Sequence, residues 1–231
     1  MVQEPPKRQI ASGITALNAL WLILSSKHAK KVTGISKVPV NDKNFKQMKL
    51  IQLTDKTWII EDFLSPTECD NLILFSEMRG YDEAEVSLKS GSKMMKGIRN
   101  NYRLIYEDQA LAEKLWNKLH DFCPVIIEGR IASGLNERFR FYRYEKGQRF
   151  KRHIDGRFER SEVEESRITF MVYLNDDFEG GETKFDDTTV IPKKGTALCF
   201  IHEQKHEGAP IISGTKYVLR SDVMYLSSIE D

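Results

Sequence analysis

The second half of the chain consists of short strand-like segments that end at turn signals. From Glu137 onward, apolar residues alternate with polar ones or form short runs, and pairs such as Lys146-Gly147 and Gly180-Gly181 interrupt them. This pattern is typical of antiparallel strands, and no longer internal repeat is visible. The predicted strands contain RFRFYRY, RFKRHID, RITFMVYL, GETKF, GTALCFI and GTKYVLRSDVMYL.

Helical patterns come before these strands. In Ser65-Pro66-Thr67-Glu68, serine is a helix N-cap, proline occupies the first turn and glutamate lies three residues after the cap, which predicts a helix to about residue 80. A second helix is predicted over residues 109–122, with Asp108 as its cap. Helices first and strands afterwards predict an α+β fold with an antiparallel β core. The remaining predictions are two strands in KLIQLTDKTWIIEDF, a loop over 81–98 and a strand over 99–106.

The net charge of +1 conceals two regions of opposite charge. Residues 1–49 contain nine Lys and Arg against two acidic residues, a local charge of +7, which leaves −6 for the other 182 residues. We therefore predict a basic extension over residues 1–48 and one globular domain over residues 49–231. Near-zero overall charge disfavours a globally basic nucleic-acid binder, so no specific nucleic-acid binding is expected.

The basic extension contains the longest apolar stretch of the chain, ITALNALWLIL at residues 14–24. Because about 20 residues are needed to cross a bilayer, no transmembrane span is expected. Apolar residues at helical spacing predict a short amphipathic helix, followed by a linker over residues 26–46. A role of this extension in targeting or membrane association stays open.

Three widely spaced cysteines without a C-x-x-C pair favour a reducing compartment, and hence the cytoplasm. The oligomeric state is not predicted.

His153-Ile154-Asp155 falls on a predicted strand. Residues i and i+2 of a strand face the same side, so the imidazole and the carboxylate can converge on one metal ion. One more histidine from another strand would complete a two-histidine, one-carboxylate site, which is typical of non-haem Fe(II) and leaves coordination positions open. The candidates for that histidine are His202 and His206.

An alternative site uses His202 and His206 together, because residues 202–206 match H-E-x-x-H. On a helix this motif supplies two zinc-binding histidines, with Glu203 as general base of a peptidase. Strand-like residues precede the motif, and Gly208 and Pro210 follow it, so the context disfavours a helix. A zinc peptidase remains the distant alternative.

Two cations follow on the last predicted strand. Lys216 lies ten residues after His206, and Arg220 shares its strand face. Such a lysine can pair with an anionic co-substrate beside the metal, because two cations facing a β core need an anionic partner. Two solvated cations on an edge strand are the alternative.

Taken together, FYRYEKGQRFKRHID, FMVYLNDDFEGGETKF, KKGTALCF and HEGAPIISGTKYVLRSDVMY resemble the prolyl 4-hydroxylase-like branch of the Fe(II)/2-oxoglutarate dioxygenases. The resemblance implies a double-stranded β-helix, or jelly-roll, with flanking N-terminal helices. It also implies Fe(II), 2-oxoglutarate and O2, with ascorbate as a further ligand. The implied reaction hydroxylates a C–H bond and releases succinate and CO2.

The resemblance also implies a role for each site residue. His153, Asp155 and His206 would bind iron and carry catalysis, and Lys216 and Tyr144 would bind the distal carboxylate of 2-oxoglutarate. Thr183 would line the co-substrate pocket. Arg220 departs from the family, which often has a smaller or uncharged residue there; it is a further candidate that would contact 2-oxoglutarate, a substrate carboxylate, or only Asp222 or a nearby Glu.

The implied substrate is a protein or peptide side chain such as proline. A free amino acid or another small molecule is the alternative substrate, and a non-catalytic metal-binding module is the alternative function. Residues 81–98 and 156–165 are candidate lids over the substrate.

Overall fold

The computed structural model describes residues 47–84, 86–88, 91–93 and 99–227. The predicted amphipathic helix and the linker over residues 26–46 lie outside the described residues. So do residues 85, 89–90 and 94–98 of the predicted loop and candidate lid. The division at residue 48 therefore stays a prediction.

Two α-helices and many short strands make up the described residues. Helix α1 is Pro66–Arg79, and helix α2 is Gln109–Leu119, which continues as a 3-10 turn, His120–Phe122. The first strands are β1 (Lys49–Thr54), β2 (Thr57–Glu61), β3 (Asp82–Glu83), β4 (Val86–Leu88), β5 (Gly91–Lys93), β6 (Tyr102–Glu107), β7 (Ile126–Ile127), β8 (Arg130–Leu135) and β9 (Arg138–Tyr144). The later strands are β10 (Phe150–His153), β11 (Glu164–Tyr173), β12 (Glu179–Gly180), β13 (Thr183–Lys184), β14 (Thr189–Val190), β15 (Ala197–Ile201), β16 (His206–Gly208), β17 (Ile211–Ser213) and β18 (Lys216–Ser227).

The strands form a jelly-roll built mainly from two antiparallel sheets. The larger sheet has the order β1-β2-β15-β11-β18-β9-β6-β3, with β7 and β8 attached beside β18. The smaller sheet has the order β10-β16-β13-β14. The many non-consecutive neighbours are long-range pairings, which is the arrangement expected of a double-stranded β-helix. The predicted α+β jelly-roll with flanking helices is confirmed.

Two apolar clusters hold these layers together. One joins the larger sheet to the helices and includes Phe63, Leu115 and Phe170, all almost fully buried. The other joins the two sheets, where the ring of Phe185 lies edge-on to Phe200 at a centroid distance of 5.1 Å. Each large side chain buried in this way contributes about 1.5–3 kcal/mol to folding. Several residues of the second cluster also line the pocket of the candidate site.

The helix caps predicted from sequence are present. The Glu68 amide donates to Ser65 Oγ at 3.2 Å, and the Glu68 carboxylate accepts from the Ser65 amide at 2.9 Å. Asp108 accepts from the Leu111 amide at 2.9 Å. These bonds satisfy amide groups that have no partner within the helix, so both helices begin where the sequence predicts.

Several strands differ from the prediction. Strand β8 precedes Glu137 and was missed, because RIASGL has weak strand propensity and is stabilised by pairing with β18. The predicted loop over residues 81–98 contains β3 and the β4–β5 hairpin. The strand predicted in GETKF is shortened to Thr183–Lys184, because a turn precedes it at Gly180 and Gly181, whose φ angles are 78° and 69°. A Cβ on Gly180 would lie 2.3 Å from the Pro210 carbonyl oxygen, so only glycine fits this turn.

The cysteines are consistent with the predicted reducing compartment. Cys69, Cys123 and Cys199 are buried free thiols. Burial raises the pKa of Cys69 to about 11 and that of Cys123 to about 12, so both are protonated and unreactive at neutral pH. None of the helices in the described ranges is long and apolar enough to cross a membrane.

Candidate metal centre and adjoining pocket

The pairing of β10 with β16 brings three predicted ligands together. His153 ends β10 and lies opposite His206, the first residue of β16, while Asp155 follows two residues beyond the strand. The Nε2 atom of His153 is 3.4 Å from Asp155 Oδ1, and that of His206 is 3.7 Å from Asp155 Oδ2. One ligand atom from each residue lies within 4.8 Å of the others, which places all three around a single point.

Backbone hydrogen bonds orient both imidazole rings towards that point. The Nδ1 atom of His153 is 2.8 Å from the Lys151 carbonyl oxygen, and that of His206 is 2.9 Å from the Gln204 carbonyl oxygen. Since a carbonyl only accepts, each Nδ1 carries the proton and each Nε2 is left with a free lone pair. The ring of Phe150 stacks on His153 at 3.5 Å, which fixes the orientation of this ring further.

The electrostatics of the three side chains suit a divalent cation. Burial alone would raise the pKa of Asp155, but attraction to the Arg220 guanidinium holds it well below its usual range. Burial lowers the pKa of His206 to about 4, so its imidazole is neutral at physiological pH. Two imidazoles that present Nε2 and one carboxylate, with an open side facing a pocket, are a donor set that fits non-haem Fe(II). The residues present therefore fit the implied metal.

The H-E-x-x-H alternative is not formed. Residues 202–205 lie between β15 and β16 and not on a helix, so the two histidines are not displayed at i and i+4 of a helix face. His202 is bonded to Ser166 and Thr169, and Glu203 to Arg157. His202 is therefore not a ligand in the group of His153, Asp155 and His206, and the zinc peptidase reading is wrong.

The pocket beside the metal point contains the residues predicted to hold a co-substrate. Lys216 and Tyr144 lie opposite each other on β18 and β9, and Thr183 approaches from β13, where its hydroxyl is 2.7 Å from the Tyr173 hydroxyl. The pocket wall is largely apolar. Its lining includes Tyr142, Tyr144, Phe150, Met171, Thr183, Phe200, Ala209, Ile211, Lys216, Val218 and Arg220.

Lys216 is a buried amine within the pocket, with only 4% of its surface exposed. Its Nζ donates to the Gly181 carbonyl at 2.5 Å and lies 5.1 Å from the centre of the Tyr173 ring. Burial lowers its pKa to about 7. Within the described ranges, no carboxylate lies at ion-pair distance from this amine, so it can accept an anionic ligand. The reading of Lys216 as a solvated edge cation is wrong.

Arg220 also lines the pocket, but it already has partners. Its Nη2 lies 3.1 Å from Asp155 Oδ2 and 3.2 Å from Asp222 Oδ1. Asp222 in turn accepts from Arg140 at 2.8 Å. Arg220 thus contacts Asp222, one of the alternative partners considered for it, but also Asp155, which was not foreseen. Its predicted contact with a co-substrate stays a prediction.

Tyr142 is a pocket residue that the sequence analysis missed. Burial alone would raise the pKa of its phenol, but the charges of Arg99, Arg220 and Arg140 lower it to about 8. Arg99 is buried, stacks over Tyr142 at 4.4 Å and over Phe150 at 4.6 Å. The alternation in RFRFYRY already puts residues 142 and 144 on one face, so this signal could have identified Tyr142.

The other candidate lid, residues 156–165, is tied to the domain by ion pairs. Arg157 donates to Glu203 at 2.5 Å, and Arg160 donates to Glu164 at 3.1 Å. Most of this segment is exposed to solvent. Its role as a lid stays a prediction.

A family model described as the 2OG-Fe(II) oxygenase superfamily matches residues 139–221, a range that contains all three candidate ligands. The chain is 25% identical over 205 residues to "Probable prolyl 4-hydroxylase 8" of Arabidopsis thaliana, an alignment that covers 74% of this chain and 69% of the relative. It is 23% identical over 213 residues to "Putative prolyl 4-hydroxylase" of Acanthamoeba polyphaga mimivirus, which covers 83% of this chain and 84% of the relative.

Solved structures show the same fold. The viral collagen prolyl hydroxylase of Paramecium Bursaria Chlorella virus-1, in its 2OG complex, matches with a TM-score of 0.53 and 25% identity, over 73% of this chain and 96% of that chain. A Pseudomonas putida prolyl-4-hydroxylase matches with a TM-score of 0.53 and 18% identity, over 75% of this chain and 93% of that chain.

Proposed function

Because this chain is a 2OG-Fe(II) oxygenase of the prolyl 4-hydroxylase-like branch, we propose that it hydroxylates a prolyl side chain of a protein or peptide. The reaction consumes 2-oxoglutarate, O2 and a C–H bond, and yields succinate, CO2 and the corresponding alcohol. One observation carries the proposal: His153, Asp155 and His206 converge beside a pocket that contains the buried amine of Lys216.

Each residue of the site has a proposed task. His153, Asp155 and His206 hold Fe(II), and bound Fe(II) supplies the redox chemistry that couples O2 to decarboxylation and hydroxylation. Lys216 and Tyr144 bind the distal carboxylate of 2-oxoglutarate, Thr183 lines its pocket, and Arg220 is the secondary candidate for its carboxylates. The apolar pocket wall excludes water, which strengthens these charge interactions. Ascorbate as a further ligand stays a prediction.

A turnover screen tests the substrate class. Purified full-length protein with Fe(II) and 2-oxoglutarate is offered proline-containing peptides, matched peptides with alanine for proline, free proline and other free amino acids. We expect succinate release and a gain of one oxygen by mass spectrometry only with the proline peptides. Turnover of a free amino acid, with none of the peptides hydroxylated, would replace the proposed substrate with the alternative one.

The affinity for 2-oxoglutarate should fall as pH rises through the pKa of Lys216. Since burial lowers that pKa to about 7, the amine is charged below neutrality and uncharged above it. Binding a carboxylate requires the charged form, so above pH 7 binding must take up a proton and the KM rises by up to about tenfold per pH unit. The check is the KM for 2-oxoglutarate from about pH 6 to pH 9 in wild type and in Lys216→Met. A flat wild-type profile, or an equal slope in the variant, contradicts this role.

The proposed location is the cytoplasm, which the three reduced, buried thiols support.

The proposed domain begins at residue 49, after a basic extension over residues 1–48. Deleting residues 1–45 should leave folding and 2-oxoglutarate turnover within about twofold of the full chain, because the three candidate ligands and the pocket described beside them all lie within the described residues 142–220. Circular dichroism and succinate release measure both quantities. An unfolded product would show that the extension belongs to the domain.

A further inference from the structure

His202 is a buried histidine that the proposed chemistry does not use. It follows β15 directly, has 1% of its surface exposed and lies outside the group of candidate ligands formed by His153, Asp155 and His206. Its Nε2 lies 2.8 Å from Ser166 Oγ, and its Nδ1 lies 2.9 Å from Thr169 Oγ1. Thr169 in turn donates to Asp155 Oδ2 at 2.7 Å. A continuous hydrogen-bonded path thus joins this ring to a candidate ligand.

Irregular strand geometry makes the path possible. Residues i and i+3 normally face opposite sides of a strand, yet Ser166 and Thr169 of β11 both reach His202. The pairing of β11 with β18 shifts register between Ser166 and Ile168, which reverses the facing of the side chains at this point. The His202 amide also donates to the Arg167 carbonyl at 3.1 Å, so its backbone is anchored between its two partners.

The proton on each atom of this path is determined by its neighbours. A carboxylate that ligates a metal only accepts, so the Thr169 hydroxyl hydrogen points to Asp155 and its oxygen accepts from His202 Nδ1–H. Burial lowers the pKa of His202, so the ring is neutral and Nε2 has no proton. Nε2 therefore accepts from the Ser166 hydroxyl, whose oxygen accepts from the Phe158 amide at 2.8 Å. Each of these donors has one acceptor, with no conflict along the path.

The path makes the two oxygens of Asp155 unequal. Oδ2 accepts from Thr169 and lies 3.1 Å from the Arg220 guanidinium, whereas Oδ1 faces His153 Nε2 at 3.4 Å. We propose that His202 is a positioning residue that acts through Thr169 to hold Asp155 for single-oxygen ligation. This inference rests on the proposed iron site. Single-oxygen ligation keeps coordination positions open for the co-substrate and O2.

Two substitutions of His202 separate its two hydrogen bonds. His202→Asn keeps an N–H at the place of Nδ1 and loses the contact at Nε2, whereas His202→Gln keeps the distal contact and loses the N–H towards Thr169. The probe is Co(II) added to the metal-free full chain, read by its dissociation constant and its visible absorption spectrum. We expect His202→Gln to raise the dissociation constant about tenfold with an altered spectrum, and His202→Asn to stay within about twofold of wild type.

Thr169 provides the second half of the test. Thr169→Val should match His202→Gln, Thr169→Ser should restore binding, and the double variant His202→Gln/Thr169→Val should bind no more weakly than Thr169→Val alone. Thr57→Val is the matched control, because Thr57 is a fully buried strand threonine whose hydroxyl has no hydrogen-bond partner among the described residues. Circular dichroism confirms that each variant is folded. If His202→Gln does not fold, His202→Leu replaces it, because leucine also lacks the N–H towards Thr169, and it should raise the dissociation constant about tenfold.

The outcomes separate this inference from the proposed function. If His153→Ala binds Co(II) as tightly as wild type, the proposed metal site itself is wrong. If His153→Ala loses binding while His202→Gln and Thr169→Val keep the wild-type dissociation constant and spectrum, the positioning role is overturned. Additive losses in the double variant, or an unchanged constant in His202→Leu where it serves as the replacement, overturn it as well.

Discussion

Replacing Asp155 with alanine is expected to lower substrate-dependent succinate formation by at least about 100-fold. Asp155 supplies the only carboxylate of the candidate centre within the described residues, and its oxygens lie 3.4 Å and 3.7 Å from the Nε2 atoms of His153 and His206. Removing it leaves two imidazoles, which hold a divalent cation much more weakly. Succinate release in saturating Fe(II) and 2-oxoglutarate measures the loss, and His153→Ala should behave in the same way.

A carboxylate outside the site provides the control for this prediction. Asp70 lies on helix α1, is exposed and pairs with Lys194. Asp70→Ala removes the same chemical group from the surface, so its turnover should stay within about twofold of wild type. Full succinate formation by Asp155→Ala or His153→Ala would mean that the metal lies elsewhere.

Replacing Lys216 with alanine is expected to raise the KM for 2-oxoglutarate about 100-fold, which corresponds to about 2.7 kcal/mol. The amine is buried, contacts the Gly181 carbonyl and has no carboxylate at ion-pair distance within the described ranges. A co-substrate carboxylate buried against it would lose its charged partner in the variant. The turnover number at saturating 2-oxoglutarate should fall much less, since Lys216 is not one of the candidate ligands.

Lys184 is the matched control for Lys216. It lies on β13 beside Thr183, but its side chain is exposed. Lys184→Ala should therefore leave the KM for 2-oxoglutarate unchanged. An unchanged KM in Lys216→Ala would transfer the carboxylate-binding role to Arg220, the other cation that lines the pocket.

Local sequence pattern was enough to predict half of the metal centre. His153 and Asp155 are two residues apart in a segment predicted as a strand, which would place both side chains on one side. The strand ends at His153, so Asp155 lies just beyond it, but the two side chains still converge. The choice between His202 and His206 was not determined by spacing. It depends on the register of β10 against β16, which places His153 opposite His206, and such a long-range pairing is not encoded in any short segment.

The supporting residues were beyond sequence reasoning for the same reason. The contact of His202 with both Ser166 and Thr169 requires a register shift in β11 that a regular strand pattern does not show. The ion pair of Arg220 with Asp155 joins two residues 65 positions apart in the chain, from β18 and from the segment after β10. Strand β8 was missed because its stability comes from its partner and not from its own composition.

Anaerobic binding of Fe(II) and 2-oxoglutarate tests the central claim most directly. The metal-free full chain is mixed with 2-oxoglutarate and titrated with Fe(II) in the absence of O2, while the visible absorbance is recorded. We predict a weak visible band that saturates at one Fe(II) per chain, requires 2-oxoglutarate and is absent in Asp155→Ala. No band in the wild-type protein, or an equal band in Asp155→Ala, would contradict an oxygenase centred on His153, Asp155 and His206.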